Sequence, residues 1–456
     1  MIGFAKPSRS VDYDPRLEVA RLTRVAPRPT TLAQTGLSLA FLTDLACRQM
    51  ATFGVLPLSE LIARMGLAGP VTEQVLQFMR SEGLAELRNR LGPDGELRYG
   101  LTERGRAEGY DALMRSGYVG PAPVPLDQYC DVIEQQSIRK RRIEREMLRR
   151  ALGNLVIEDR VRDQLGPALN SNRAILLYGA PGTGKTYLSQ QLARVLPDLV
   201  LIPHAICIND VVIDLFDPQI HAEVSLNTPA HPLQLGHGWD ARFACCERPV
   251  VTAAGELTLD MLEVQRDVAT RTSVAPLQLK ANNGVFLIDD LGRQRVDATA
   301  IFNRWIVPME ERVDYLSAGS GHQFAAPFDQ LLLFSTNLDP LQIADEAFLR
   351  RIGYKIRLDP CSLEHFRKIW QDVCAEREVF FDPGVLSHLI HQHYGQSKRD
   401  MLPCHPRDLI GMALDWKTYE GKPAELDEAA VDWAWDNYFV RHDQDMIAAA
   451  PAKGDC

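Results

Sequence analysis

The sequence predicts an α/β protein in which a parallel sheet is followed by a helical region and preceded by a small α+β unit. Three observations carry this. Unbroken apolar runs at residues 174–178, 285–288 and 331–334 suit strands buried on both faces of a parallel sheet. The first run passes directly into a glycine-rich loop, and the other two end in polar residues. Ahead of them, residues 36–118 mix helical spacing with turn chemistry, a pattern distinct from the rest of the chain.

Length and composition set the frame. The 456 residues suffice for about three domains at roughly 150 residues each. A hydrophobic content of 46% and a charged content of 24% are ordinary for a globular chain. No apolar run approaches the ~20 residues that span a bilayer. Residues 1–10 lack the apolar core and small-residue cleavage site of a signal peptide, so a cytoplasmic protein without membrane insertion is expected. The nine cysteines are scattered, with no C-x-x-C, and do not form a disulfide framework. His221, His231, His237, Cys245 and Cys246 fit no standard zinc spacing and read as loop residues and core thiols. A net charge of −10 argues against coating nucleic acid by bulk electrostatics. One basic patch stands against it: Arg139, Lys140, Arg141, Arg142, Arg145, Arg149 and Arg150.

In chain order, residues 1–35 are rich in Pro, Arg and Thr and read as a flexible arm. Residues 36–118 give a helix from Leu37, a second at 58–65 and a third near Thr72. Two short extended stretches come next, at 84–89 and 96–101, and a helix from about Thr102 closes the unit. Gly92-Pro93-Asp94-Gly95 between the extended stretches is good turn chemistry. This order resembles a winged helix-turn-helix, whose usual role is DNA recognition through the third helix. Here that helix sets Glu73 and Glu82 against Arg80, so contact with a protein or a structural role is favoured over DNA. Residues 119–150 read as a proline-stiffened linker and a basic helix. Residues 151–358 form the α/β core, 359–445 are helical, and 446–456 read as a disordered tail.

The run at 174–178 leads into Gly179-Ala180-Pro181-Gly182-Thr183-Gly184-Lys185-Thr186 and then a helix. This is a complete G-x-x-x-x-G-K-T loop in the strand–loop–helix setting it requires. Such a loop wraps phosphates with backbone N–H groups at a helix N-terminus. Lys185 is expected to reach the β/γ-phosphates of ATP, and the Thr186 hydroxyl to ligate Mg²⁺. The run at 285–288 ends in Asp289, placed to hold the metal, and Asp290, placed to polarise the attacking water. The third run delivers Asn337 to the same sheet edge, where ligands of open parallel sheets bind.

Over residues 150 to about 440 this order resembles an AAA+ ATPase, a P-loop NTPase with a parallel sheet and a helical lid. The resemblance implies that Asn337 is the sensor 1 residue. It implies that Arg351, or alternatively Arg350, in Asp345-Glu346-Ala347-Phe348-Leu349-Arg350-Arg351-Ile352 is an arginine finger reaching a neighbouring subunit's site. Arg407 in His405-Pro406-Arg407-Asp408-Leu409 takes the sensor 2 position, contacting the γ-phosphate from the lid. A finger acting in trans implies a homo-oligomeric ring, commonly a hexamer in this family. Two features depart from the pattern. Asp290 stands where the family usually has Glu, and the segment between Lys185 and Asp289 is unusually long. That segment suggests a β-hairpin turning near Gly255, and a second hairpin is expected at about 315–324. Such hairpins resemble the MoxR and magnesium-chelatase branch, which implies work on a protein client. An ATP-controlled DNA-binding regulator and a slowly hydrolysing ATP switch are the competing readings.

Overall fold

The structure, a computed structural model, describes residues 14–88, 96–153, 155–192, 195–196, 198–226, 238–318, 323–397 and 399–439. The 92–95 turn, His231, His237 and the 446–456 tail lie outside the described residues.

At the centre is a five-stranded, all-parallel sheet. Its order is Val250–Ala253, Val285–Ile288, Leu331–Thr336, Ile175–Tyr178, Tyr354–Arg357. The three apolar runs take the inner positions, as continuous hydrophobicity requires. Successive side chains leave opposite faces. Ile175 and Leu177 pack with Val161, Leu165 and Leu188, while Leu176 packs with Phe286, Trp305 and Phe334. The parallel register brings the carboxyl ends of the Ile175, Val285 and Leu331 strands to one edge.

Residues 249–259 do not form the expected hairpin. Val250–Ala253 is an edge strand of the parallel sheet, paired residue for residue with Val285–Ile288. Its alternating exposure mimics hairpin patterning because one face of an edge strand stays open. The second expected hairpin is present as Val313–Ser317 against Gln323–Pro327.

A second five-stranded sheet gathers segments far apart in sequence. Its order is Gln265–Asp267, Thr272–Val274, Val211–Asp214, Ala205–Ile208, Val124–Pro125. Leu199–Pro203 pairs separately with Phe243–Glu247. These elements share one core with the 313–327 hairpin.

Two regions differ from expectation through this body. The presumed arm contains a helix, Pro15–Val25, capped by the Asp14 side chain, with Pro15 in the first turn where its missing N–H costs nothing. Leu22 and Val25, one turn apart, are buried against Leu199–Ile202. The presumed linker supplies the Val124–Pro125 strand and then the helix Leu126–Gln135. The basic stretch beyond it is divided between a 3₁₀ turn, Ile138–Lys140, and a short helix, Arg145–Ala151. Arg242 ties these parts together. Buried beside Asp240, it donates to the Thr35 carbonyl at 2.9 Å and to Gln128 at 3.0 Å.

Residues 36–118 comprise Leu39–Phe53, Leu58–Met65, Gly69–Ser81 and Glu103–Arg115 beside a three-stranded antiparallel sheet. Their core continues into Ala205, Cys207 and Val212 of the second sheet, so packed side chains join the two bodies. His221 is buried and holds the Asp217 amide and the Lys280 carbonyl, and Cys245 and Cys246 are buried in the Phe243–Glu247 strand. The C-terminal region is helical, with Leu363–Glu376, Pro383–His388, His405–Tyr419 and Glu428–Tyr438 around an aromatic core. Among the described residues no helix is long and apolar enough to cross a membrane.

Candidate nucleotide site

The loop after Ile175–Tyr178 turns through positive φ at Gly182 (+83°) and Gly184 (+86°), a region open to glycine but costly for other residues. A Cβ on Gly184 would meet open space, whereas one on Gly182 would lie 2.6 Å from Cys404 Sγ. The loop therefore faces a cavity on one side and the helical region on the other. The helix Lys185–Leu192 starts at the loop's end and aims its first turn at that cavity.

The cleft has a volume of about 550 Å³. Residues 181–188, Asp290 and Asn337 line it from the sheet, and Asp372, Glu376, Cys404, Arg407 and Asp408 line it from the helices. Lys185 is folded back, donating to the Gly179 and Ala180 carbonyls at 3.0 and 2.7 Å. Burial pushes the Lys185 ammonium below the ordinary lysine value, against an upward pull from Asp290 and Asp289.

Asp289 is the hub of the edge. One carboxylate oxygen accepts the Thr186 hydroxyl at 2.6 Å. The other accepts the Ser335 hydroxyl and the Asp290 amide. Asp290 has φ +50°, in the left-handed region that aspartate tolerates better than most residues. Its carboxylate accepts the Asn337 amide at 2.6 Å. The loop, Asp289, Asp290 and Asn337 are thus brought together from three adjacent strands.

Arg407 lines the same cleft and lies 3.5 Å from Glu376. Arg351 does not line it. Its guanidinium is paired with Glu310 at 2.5 Å and donates to the Ala347 carbonyl, beside a separate cavity shared with Arg173, Arg312 and Arg350. Sequence reasoning missed Ser335 and the acids Asp372 and Glu376. Ser335 lies at the end of the Leu331–Thr336 strand, two residues before Asn337, and only its hydroxyl near the strand end could have pointed to the site. Asp372 and Glu376, one helical turn apart, carry no comparable signal.

The Domain of unknown function DUF8689 matches residues 362–437, within the helical region. A comparison with curated proteins finds no match. Among solved structures, the chain is similar to the Thermotoga maritima RuvB Holliday junction branch migration motor at 14% identity and a TM-score of 0.36. The alignment covers 63% of this chain and 72% of that one. It is also similar to NtrX from Brucella abortus at 10% identity and a TM-score of 0.38, covering 67% and 58%.

Proposed function

We propose that the chain is a Mg²⁺-dependent AAA+ ATPase, hydrolysing ATP to ADP and phosphate to remodel a protein client as a homo-oligomeric ring. The observation that supports this most is one cleft lined by residues 181–186, Asp290 and Asn337, with Asp289 behind it bound to the Thr186 hydroxyl. Its donors fit the cofactor: paired hydroxyl and carboxylate oxygens suit a hard divalent ion. Thr186 and Asp289 would hold Mg²⁺, which when bound offsets phosphate charge. The backbone amides of residues 182–186 cradle the phosphates, Pro181 having no N–H to give. Lys185 leaves the Gly179 and Ala180 carbonyls to meet the β/γ oxygens. Asp290, held by Asn337, orients the attacking water, and Arg407 approaches the γ-phosphate from the lid. Arg351 serves the neighbouring subunit's site.

A protein client is favoured over DNA. The exposed residues of Gly69–Ser81 include Glu73, Gln74, Gln77, Phe78 and Arg80, with little net positive charge for phosphates. Much of the basic patch is spent on partners within the chain, with Arg139 on Asp329, Lys140 on Glu134 and Arg141 on Asp198. A slow ATP switch is the second reading, favoured by the short Asp290 side chain and its bond to Asn337.

Titrating the chain with a fluorescent ATP analogue in Mg²⁺ tests the site. Lys185→Ala is expected to weaken binding at least tenfold and abolish turnover. Equal affinity in the variant would remove the cleft as the nucleotide site.

A further inference from the structure

The helical region carries a second cluster, remote in role from the phosphate loop. His388 and His393 are five residues apart, which on an α-helix separates them by about 140°. Here residues Leu389–Tyr394 form a π-helical turn, whose i→i+5 hydrogen bonds place residues five apart on one face. Both rings consequently point to the helix Glu428–Tyr438. His388 Nε2 and His393 Nε2 lie 2.7 and 2.6 Å from the same oxygen, Asp432 Oδ1. The three ligand atoms all lie within 4.8 Å of one another. His391, on the same segment, is exposed and outside the cluster.

The other ring nitrogen of His388 faces a second carboxylate, an arrangement that suits a ligating neutral ring as well as an imidazolium donating from both nitrogens. Nδ1 lies 3.7 Å from Glu428 Oε2, one helical turn before Asp432. If a neutral His388 donates Nε2–H to Asp432, its Nδ1 lone pair faces a carboxylate, lone pair against lone pair. If Nε2 gives its lone pair to a metal ion, Nδ1 carries the proton and donates toward Glu428. That is the carboxylate–histidine–metal arrangement common around ligating histidines. The His393 ring is braced by Trp435, stacked at 4.8 Å.

We propose that His388, His393 and Asp432 form a divalent transition-metal site, with Glu428 orienting His388. Two imidazole nitrogens and one carboxylate oxygen suit Zn²⁺, with water completing the coordination. Mg²⁺ and Ca²⁺ prefer oxygen ligands and are not favoured there. The ion would clamp the π turn to the last described helix.

The test uses the full-length chain, stripped with chelator, dialysed against Zn²⁺ and assayed for metal content. One Zn²⁺ per chain is expected at this site. It should survive Asp289→Asn, which alters the phosphate-side metal position, and be lost in His388→Ala/His393→Ala. Glu428→Gln is expected to weaken Zn²⁺ about 10–100-fold, as loss of an orienting partner does. Co²⁺ in place of Zn²⁺ should give visible d–d absorption that the double variant lacks. Asp432→Asn, a near-isosteric change, guards against a misfolded double variant and should also lose the ion. A wild-type chain that takes up no Zn²⁺, or equal uptake in folded Asp432→Asn, overturns the proposal and leaves a histidine–aspartate hydrogen-bond cluster.

Discussion

Asp290 faces two constraints at once. Its backbone sits at φ +50°, where a short polar side chain is tolerated and a longer one is less common. Its carboxylate is also held by Asn337, one methylene closer to the main chain than a glutamate would be. In phosphoryl transfer, positioning of the water supplies much of the rate, so this shortfall bears on turnover. Asp290→Glu is expected to raise kcat about tenfold, equivalent to about 1.4 kcal/mol of barrier. ATP affinity should hold, and the melting temperature should fall slightly because Glu is a poorer left-handed residue. Steady-state kinetics beside a thermal melt check both halves. An unchanged kcat would mean that side-chain length is not the limit. The residues around Asp290 differ in how plainly the chain announces them. Lys185 and Thr186 are legible because the glycine loop sets their spacing, and Asp289 because it ends an unbroken apolar run. The Ser335 bond to Asp289 is not, since a serine near a strand end is common and gains meaning only from the neighbouring strand.

Single elements show where burial changes chemistry. His405 opens the helix His405–Tyr419, and its Nδ1 faces the Tyr394 hydroxyl at 2.7 Å and the Leu402 amide. Tyr438 and Phe439 pack on the ring. Burial lowers the His405 pKa to about 4, with Asp408 pulling upward and Arg399 pushing down. The unfolded chain, with a histidine pKa of about 6.5, therefore binds more protons between the two values. Stability from this group is complete above about pH 6.5 and is lost as pH falls toward 4, up to about 3 kcal/mol in all. Urea unfolding of the chelator-treated chain from pH 7 to 4 should show this loss, and His405→Phe should flatten it. A variant curve parallel to wild type would place the loss elsewhere. Burial also separates the legible strands from the illegible one. Val285–Ile288 and Leu331–Thr336 are buried on both faces and announce themselves, while the edge strand Val250–Ala253 alternates like a hairpin arm. The π turn that aligns His388 with His393 leaves no periodic trace, because one widened turn is too short to set a period.

For the molecule as a whole, the surprise is how little of it is linker. The prolines around Val124–Pro125 suggest a spacer, yet this segment pairs in parallel with Ala205–Ile208 and joins a sheet built from four other segments. A body assembled from pieces so distant in sequence has no local signature, so the sequence alone does not reveal it. Its packing against residues 36–118 gives the two bodies a shared buried core. The proposed subunit arrangement turns on Arg351. Within one chain it is bound to Glu310 and away from the cleft lined by residues 181–188, a disposition that suits either a partly exposed ion pair or a residue offered to a neighbour. The two differ in consequence. An exposed pair contributes about 0–1 kcal/mol and nothing to catalysis. An arginine supplied in trans accelerates phosphoryl transfer by about 10³–10⁵ and only in an assembly. Turnover per chain should therefore rise with protein concentration, and Arg351→Ala should abolish that rise while leaving ATP affinity and melting temperature nearly unchanged. Arg350→Ala serves as the comparison, because it lies beside the same cavity. Concentration-independent turnover that survives Arg351→Ala would confine catalysis to the single chain and reduce the Glu310 pair to a surface contact.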